Sequence, residues 1–523
     1  MFFIHLPDLY RVEANLIVRL FLPENEYAYI AASSKVFELS TSPEEKASWS
    51  ALFQCDQNHT TEKNKILSAN DILMWFDLKK VADDIILQGN LSQNNRLLFR
   101  EEIPVHPVRA ALQQDIKMPL KLMLYKALSF YTCKTLPWGV LTGIRPVKII
   151  NKLLGQGDDI EEVTRHMQEN YQVSKEKAQL SIEVALNQKK LLKRAPNAIS
   201  IYIGIPFCTS RCLYCSFPSV SIQHYQYCIQ DYLASLKKEI IWASQWIRGN
   251  GLSVDTVYIG GGTPTALSVE ELKMLLDNIV QSLPMSQVCE YTVEAGRPDT
   301  ISREKLKVLK SSGVSRISIN PQTMQDKTLQ LIGRNHTVEQ FVEAFHIARE
   351  QGFHNINCDL IAGLPGESLE DFMVTIDQMK QLSPESLTVH TMSVKRASRL
   401  NEKRERFPNT SDDIVAAMIH LAKTSAKEMG LVPYYLYRQK NILANLENVG
   451  YAKPGFEGIY NILIMEEVQS IIALGAGAVS KIVFPNNRIE RVFNVKNVEE
   501  YMKRIDQMLQ RKENLLRYYD VNT

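Results

Sequence analysis

The chain has 523 residues, 45% of them hydrophobic and 23% charged, with 60 Lys and Arg against 58 Asp and Glu and a formal charge of +2. That mixture suits a folded protein of several domains and excludes a disordered, collagen-like or membrane-spanning polypeptide. The near balance of charge argues against nucleic-acid binding through a generally basic surface. Asp8, Arg11 and Glu13 interrupt the apolar N-terminus before a signal-peptide core can form, and no uncharged apolar run reaches the length of a membrane span. A cytoplasmic protein without membrane insertion is expected.

Residues 1–110 read as β-rich. Ala14–Phe21 and Tyr27–Ala32 carry strand-like aliphatics and tyrosines, and Ile85–Leu87 and Leu97–Phe99 flank a turn-like stretch from Gly89-Asn90 to Asn94-Asn95. Residues 111–197 turn helical: Leu120–Tyr131, a helix started by Asp159 and Glu162 in an Asp-x-x-Glu signal, and Ser174 to about Arg194, stopped before Pro196. The basic end of the last helix complements its dipole and faces water.

From 198 to 440 short apolar runs alternate with amphipathic stretches. Strands are expected at Ile199–Ile205, Thr256–Ile259, Glu290–Glu294, Ser315–Ile319, Ile356–Ile361 and Ser386–His390. Helices are expected between them, at Asp231–Trp246, Val269–Ser282, Arg303–Ser311, Val338–Gln351 and Leu369–Lys380. Alternating βα units give a parallel sheet with crossover helices, and six in series suggest a full or partial barrel. Barrel chemistry gathers at the C-terminal strand ends, which here carry Cys208, Gly260–Gly262, Glu294, Gln322 and Asp359. Residues 441–523 hold Ile471–Leu474, a Gly-Ala-Gly-Ala turn, and a final helix with Val498, Met502, Ile505 and Leu509 on one face, read as a small C-terminal α/β domain.

Of eight cysteines, Cys55, Cys133, Cys228, Cys289 and Cys358 are scattered, whereas Cys208, Cys212 and Cys215 fall within GIPFCTSRCLYCSF, residues 204–217. Pro206 and the preceding strand argue against three thiols on one helical face. A zinc site wants a fourth ligand nearby, for which His224 is the nearest candidate, and a redox CxxC of Cys212 and Cys215 leaves Cys208 unused. Three thiolates on a four-iron cluster leave one iron open to a non-protein ligand. The Cys-x3-Cys-x2-Cys spacing after the first strand of a βα series favours that reading.

In this context the motif resembles the radical S-adenosylmethionine (SAM) enzymes. With Tyr202, IPFC, GGGTPT (260–265), VEAGRP (293–298), the Ser318–Gln322 run, IGRNH (332–336) and DLIAGLP (359–365), the chain resembles the oxygen-independent coproporphyrinogen III dehydrogenase family over roughly 198–395. WGVLTGIRPVK (138–148), YYLYRQKN (434–441) and the long N-terminal extension resemble its extended Firmicute-type branch. The resemblance implies a radical SAM partial (β/α)6 barrel of α/β class with an α+β N-terminal extension, a 4Fe–4S cluster on Cys208, Cys212 and Cys215, and SAM as cofactor. Tyr202, Tyr214, Gly261, Gly262, Thr263, Glu294, Gln322, Arg334 and Asp359 match the family's SAM positions, and Ser393 and Val479 align with further contacts. It also implies a tetrapyrrole substrate whose propionates become vinyls, turning coproporphyrinogen III into protoporphyrinogen IX, and a low-potential electron donor.

Arg145, Lys148 and Arg438 are candidates for propionate contacts, with an equally good reading as packed domain-interface residues, and His336 for substrate or haem. Cys228 has no cysteine companion as an auxiliary ligand. Phe217 stands where some dehydrogenases carry another cysteine, and the C-x-F ending also occurs in related haem chaperones, which supply the alternative reading. Modification of RNA lacks the basic, aromatic-interleaved patch it needs.

Overall fold

The computed structural model describes residues 1–6, 10–31, 71–81, 84–94, 96–105, 116–143, 145–395, 397–402, 407, 410–439, 441–484 and 488–516. Cys55, Ala32, Asn95, Ile144 and Lys440, and the boundary expected near 110, lie outside them. The chain divides into two compact units, Met1–Thr142 with Thr164–Ala178, and Gly143–Val163 with Gln179–Thr523.

The first unit holds β1 (Phe2–Leu6), β2 (Tyr27–Ala31), β3 (Ile72–Val81), β4 (Asp84–Gln93) and β5 (Arg96–Val105), in the order β2-β1-β3-β4-β5. β1 pairs in parallel with β2 and β3, and β3, β4 and β5 form an antiparallel meander. Residues 14–21, expected as a strand, are mostly helix: Arg11–Val18 buries Ala14, Ile17 and Val18. Those positions are i, i+3 and i+4, a helical stripe that outweighs the β-prone composition. Gly89 and Asn90, expected in a turn, pair within the ladder opposite Glu101 and Arg100, and Arg100 Nε donates to Asn90 Oδ1 at 2.9 Å. The helix Lys117–Thr132 packs Leu120, Met123, Leu124 and Leu128 into one core with Ile4, Met74 and Leu87.

In the second unit Asp159 and Glu162 make the expected reciprocal cap, Glu162 N donating to Asp159 Oδ1 at 2.8 Å and Asp159 N to Glu162 Oε2 at 3.1 Å. The βα series follows: β6 (Ala198–Ile205), the two-residue β7 (Phe207–Cys208) and β8 (Val220–Ser221), then β9 (Ser253–Gly261), β10 (Glu290–Glu294), β11 (Arg316–Ser318), β12 (Ile356–Ala362) and β13 (Ser386–Thr391). β6 and β9 to β13 are parallel neighbours in chain order. Ser268, Thr337 and Ser368 open crossover helices with capping boxes completed by Glu271, Gln340 and Asp371, satisfying N–H groups that the first turn leaves unpaired.

The C-terminal segment contributes strands to the same sheet as the βα series. β14 (Val432–Tyr437) and β15 (Asn448–Ala452) extend the sheet antiparallel beyond β13, while β16 (Ile471–Leu474) runs parallel to β6 and leads to β17 (Val479–Val483) and β18 (Ile489–Phe493). All four β16 residues are buried, the pattern of a strand inside a sheet rather than at its margin. The eleven strands thus run β14-β15-β13-β12-β11-β10-β9-β6-β16-β17-β18.

Candidate functional site

The three-cysteine loop begins where β6 ends. Leu213 N donates to Ile332 O at 2.8 Å and Ser210 Oγ to Gly333 O at 2.8 Å, pinning the loop to the segment after β11. Cys212 is buried and Cys208 and Cys215 are half-buried. Thr263 Oγ1 approaches Cys208 Sγ at 3.5 Å, and Arg297 Nη1 approaches Cys212 Sγ at 3.6 Å. Burial pushes the Cys208 thiol up and that of Cys215 up to about 11, so ligation of a metal must displace their protons.

All three cysteines line one cavity of about 610 Å³, and so do Tyr202, Tyr214, Gly261, Gly262, Thr263, Glu294, Gln322, Arg334, Asp359, Ser393 and Val479. Among the described residues no three His, Cys, Asp or Glu side chains close around a single metal ion. The three thiols share one wall of the cavity.

The loop after β9 owes its shape to glycine. Gly261 has φ +109°, and a Cβ on Gly262 would meet Phe207 O at 2.6 Å and Ile205 O at 2.9 Å. Any side chain would push this backbone off β6 and off whatever the cavity holds. Glu294, the last residue of β10, accepts from Tyr258 Oη at 2.6 Å and Gly261 N at 3.3 Å. Desolvation lifts its carboxyl to about 7, against the Tyr258 hydrogen bond and with the nearby charge of Asp359.

Asp359, expected near the C-terminal end of the strand Ile356–Ile361, is the fourth residue of β12 and lines the cavity from within the sheet. Burial opposes its charge, yet hydrogen bonds from His390, Asn357 and Thr388 hold its carboxyl below the usual range. Gln322 has φ +70°, unusual for a residue with a side chain. Its N–H donates to Asp359 O and its C=O accepts from Ile361 N, both at 2.9 Å, so pairing to β12 offsets the strain. Arg334 donates through Nη2 to Gly296 O at 2.7 Å and Asn320 O at 2.6 Å, and through Nη1 to Tyr214 Oη at 3.3 Å.

Thr292 Oγ1, Arg297 Nη2 and Arg334 Nε are buried in residues lining the cavity with no hydrogen-bond partner among the described residues. Buried polar atoms are seldom left unpaired, so these are groups that a polar ligand would satisfy. Together with the thiols and the glycine loop, they fit a cluster with an amino-acid cofactor.

Several candidates lie elsewhere. Arg145 and Lys148 reach Glu467 at 2.7 and 2.6 Å. Arg438 is buried and donates to Asn445 O at 2.7 Å and Leu446 O at 3.3 Å. These three bind the protein itself, in the packing role that was the competing reading. His336 is buried, neither ring nitrogen has a hydrogen-bond partner among the described residues, and it sits near Asp299 and Arg334 rather than on the cavity wall. Cys228 donates to Tyr225 O at 3.2 Å.

Sequence reasoning missed Arg297, which sat inside the VEAGRP motif, and an aromatic wall. Tyr258 pairs opposite Tyr202 across β6 and β9, and Tyr460 stacks on Tyr258 at 4.5 Å and on Tyr202 at 6.3 Å. The signal for Tyr258 was present: it precedes Gly260 by two, so both face one side of the strand. Tyr460 comes from a helix remote in sequence and left no such trace.

Residues 202–379 match the family model described as the radical SAM superfamily. The oxygen-independent coproporphyrinogen-III oxidase-like protein HemZ of Bacillus subtilis (strain 168) is 43% identical over 398 residues, covering 75% of this chain and 79% of that protein. Heme chaperone HemW of the same organism is 35% identical over 284 residues, covering 53% and 70%. Among solved structures, coproporphyrinogen III oxidase HemN from Escherichia coli, a radical SAM enzyme, superposes with a TM-score of 0.50 at 21% identity over 62% of this chain and 73% of that one, a likeness of fold.

Proposed function

The chain belongs to the radical SAM superfamily, within the family of oxygen-independent coproporphyrinogen III oxidase-like proteins, and from that premise we propose that it oxidatively decarboxylates coproporphyrinogen III propionates to vinyl groups, yielding protoporphyrinogen IX. The observation that carries the reading is one cavity lined at once by three thiols, a glycine-shaped loop and several tyrosines, among them Tyr202, Tyr258, Tyr435, Tyr437 and Tyr460. Members of the superfamily use a 4Fe–4S cluster and SAM; bound here, the pair supplies one-electron SAM cleavage and hydrogen-atom abstraction.

The residues of this chain would divide the work. Cys208, Cys212 and Cys215 hold the cluster, and Arg297, within 3.6 Å of Cys212 Sγ, places a positive charge beside it. Gly261, Gly262 and Thr263 receive the amino-acid end of SAM, while Glu294 and Asp359 accept from its hydroxyl and amino groups and Arg334 orients Tyr214. The tyrosines of the cavity would exclude water from the reacting propionate, which gives a hydrogen atom to the bound cofactor and one electron to a separate electron acceptor, and releases carbon dioxide to leave a vinyl group. The reading includes a low-potential electron donor and places the protein in the cytoplasm, in keeping with described cysteines that are all free thiols.

Anaerobic reconstitution with SAM, a strong reductant and coproporphyrinogen III tests this. Protoporphyrin after oxidation of the products, absent in Cys212→Ala, is the expected result. Phe217, 63% exposed where a further cysteine would stand, favours a second reading as a haem-binding chaperone on the same scaffold. Stoichiometric haem binding without new porphyrin would select it.

A further inference from the structure

Six Lys or Arg residues among those described line the cavity, and five are already held by the protein. Arg211 donates to Ala397 O at 2.8 Å, and Arg297 pairs with Asp299 at 3.1 Å. Arg316 donates to Asn355 Oδ1 at 2.9 Å and Ser386 Oγ at 2.8 Å, Arg334 to two backbone carbonyls, and Lys481 pairs with Glu467 at 3.1 Å. The sixth, Lys395, is half-buried on the cavity wall, and no hydrogen bond or ion pair reaches its ammonium among the described residues. Burial holds its pKa below the usual lysine range, the mark of a charge losing water without gaining a partner.

Its surroundings point to an anion. The stretch Thr391–Asn401 carries Lys395, Arg396 and Arg399 and no acid. The nearest strand, β13, brings His390 to the same cavity, but that imidazole is engaged with Asp359 at 3.8 Å and Tyr437 at 3.1 Å. β13 also lies five inter-strand steps from β6, about 24 Å along the sheet. The cysteine loop and glycine loop sit at the β6 and β9 end of the cavity, whereas Lys395 lines it beyond the end of β13.

We propose that Lys395 is a substrate-binding residue that takes one carboxylate of a polycarboxylate ligand held against the Tyr435 and Tyr437 side of the cavity. This rests on the tetrapyrrole reading above, under which the carboxylate is a propionate. Pairing supplies the counter-charge the protein withholds and adds a charge-assisted hydrogen bond to an otherwise broad, aromatic contact. A carboxylate so held also fixes the macrocycle edgewise, limiting which propionate faces the cofactor flank.

The test uses the cluster-reconstituted, SAM-loaded protein and two probes, coproporphyrin III and its tetramethyl ester, titrated by fluorescence quenching. In Lys395→Gln, affinity for the free acid is expected to fall about tenfold, affinity for the ester to stay unchanged, and SAM binding to match the unsubstituted protein. Lys395→Arg should restore most of the affinity. If the unsubstituted protein and Lys395→Gln bind the free acid equally, Lys395 is not the anchor and the tetrapyrrole reading stands. If the unsubstituted protein binds neither probe, the tetrapyrrole reading itself fails and takes the anchor with it.

Discussion

Lys512, on the helix Ile505–Leu516, donates to Glu239, on the helix Ile229–Gly249, and both side chains are almost wholly removed from solvent. Glu239 also accepts from Gly475 N at 2.7 Å, Tyr501 Oη at 2.6 Å and Asn494 Nδ2 at 2.8 Å. Gly475 opens the turn whose Ala476, Gly477 and Ala478 line the cavity. The last helix of the chain is thereby tied to the wall of the candidate site.

Removing one member of that pair should cost far more than removing both. Lys512→Met leaves Glu239 buried without its cation, a loss of about 3–5 kcal/mol. The double variant Glu239→Leu/Lys512→Met should recover part of it. Denaturant titration of the three proteins checks the order, and equal stability of Lys512→Met and the parent would refute the account.

Glu294 predicts a pH dependence. Its folded-state carboxyl, near 7 against an ordinary 4.5, binds its proton more tightly in the folded than in the unfolded chain. Its contribution to stability is therefore present below about 4.5 and is lost as pH rises to about 7, on the order of 3 kcal/mol in all. In the cofactor-free protein, Glu294→Gln should flatten this slope, read as melting temperature against pH.

Gly262→Ala should strike the site before the rest of the fold. Its new methyl would sit 2.6 Å from Phe207 O and 2.9 Å from Ile205 O, backbone atoms that cannot rotate away. SAM affinity is expected to drop at least about tenfold, or about 1.4 kcal/mol, in equilibrium titration. Gly313→Ala, with open space around it but φ +85°, supplies the strained-backbone control away from the cavity.

Around Glu467 gather Arg145 at 2.7 Å, Lys148 at 2.6 Å, Lys481 at 3.1 Å and Arg491 at 3.2 Å. Although burial works against the charge, hydrogen bonds from Lys148 and Arg145 and the field of Lys481 hold this carboxyl far below its usual range. The stability it gives is present above the unfolded value and is lost as pH falls through the depressed folded one. Glu467→Gln should destabilise the protein by about 2–4 kcal/mol at neutral pH, with the deficit shrinking in acid. A melting series from pH 7 down to 3 would show the two curves converging.

The six βα strands and the cysteine spacing were legible in sequence because both are local signals. A parallel strand buried on both faces reads as a short apolar run, as at β6 and β12, and Cys-x3-Cys-x2-Cys needs only eight consecutive residues. The Ala14–Phe21 stretch misled because β-prone side chains there occupy a helical stripe, and composition alone does not reveal which period packs.

What the linear chain determined, then, was the thiol set, the glycine loop and the order of the βα units. The tertiary structure decided everything that depends on partners distant in sequence. It placed β16 beside β6, brought Tyr460 onto Tyr258 across some 200 positions, and spent Arg145, Lys148 and Arg438 on internal acceptors while leaving the Lys395 ammonium without one among the described residues. A cation's role is set by which opposite charge reaches it first, and that is a property of the packed chain rather than of its neighbours in sequence.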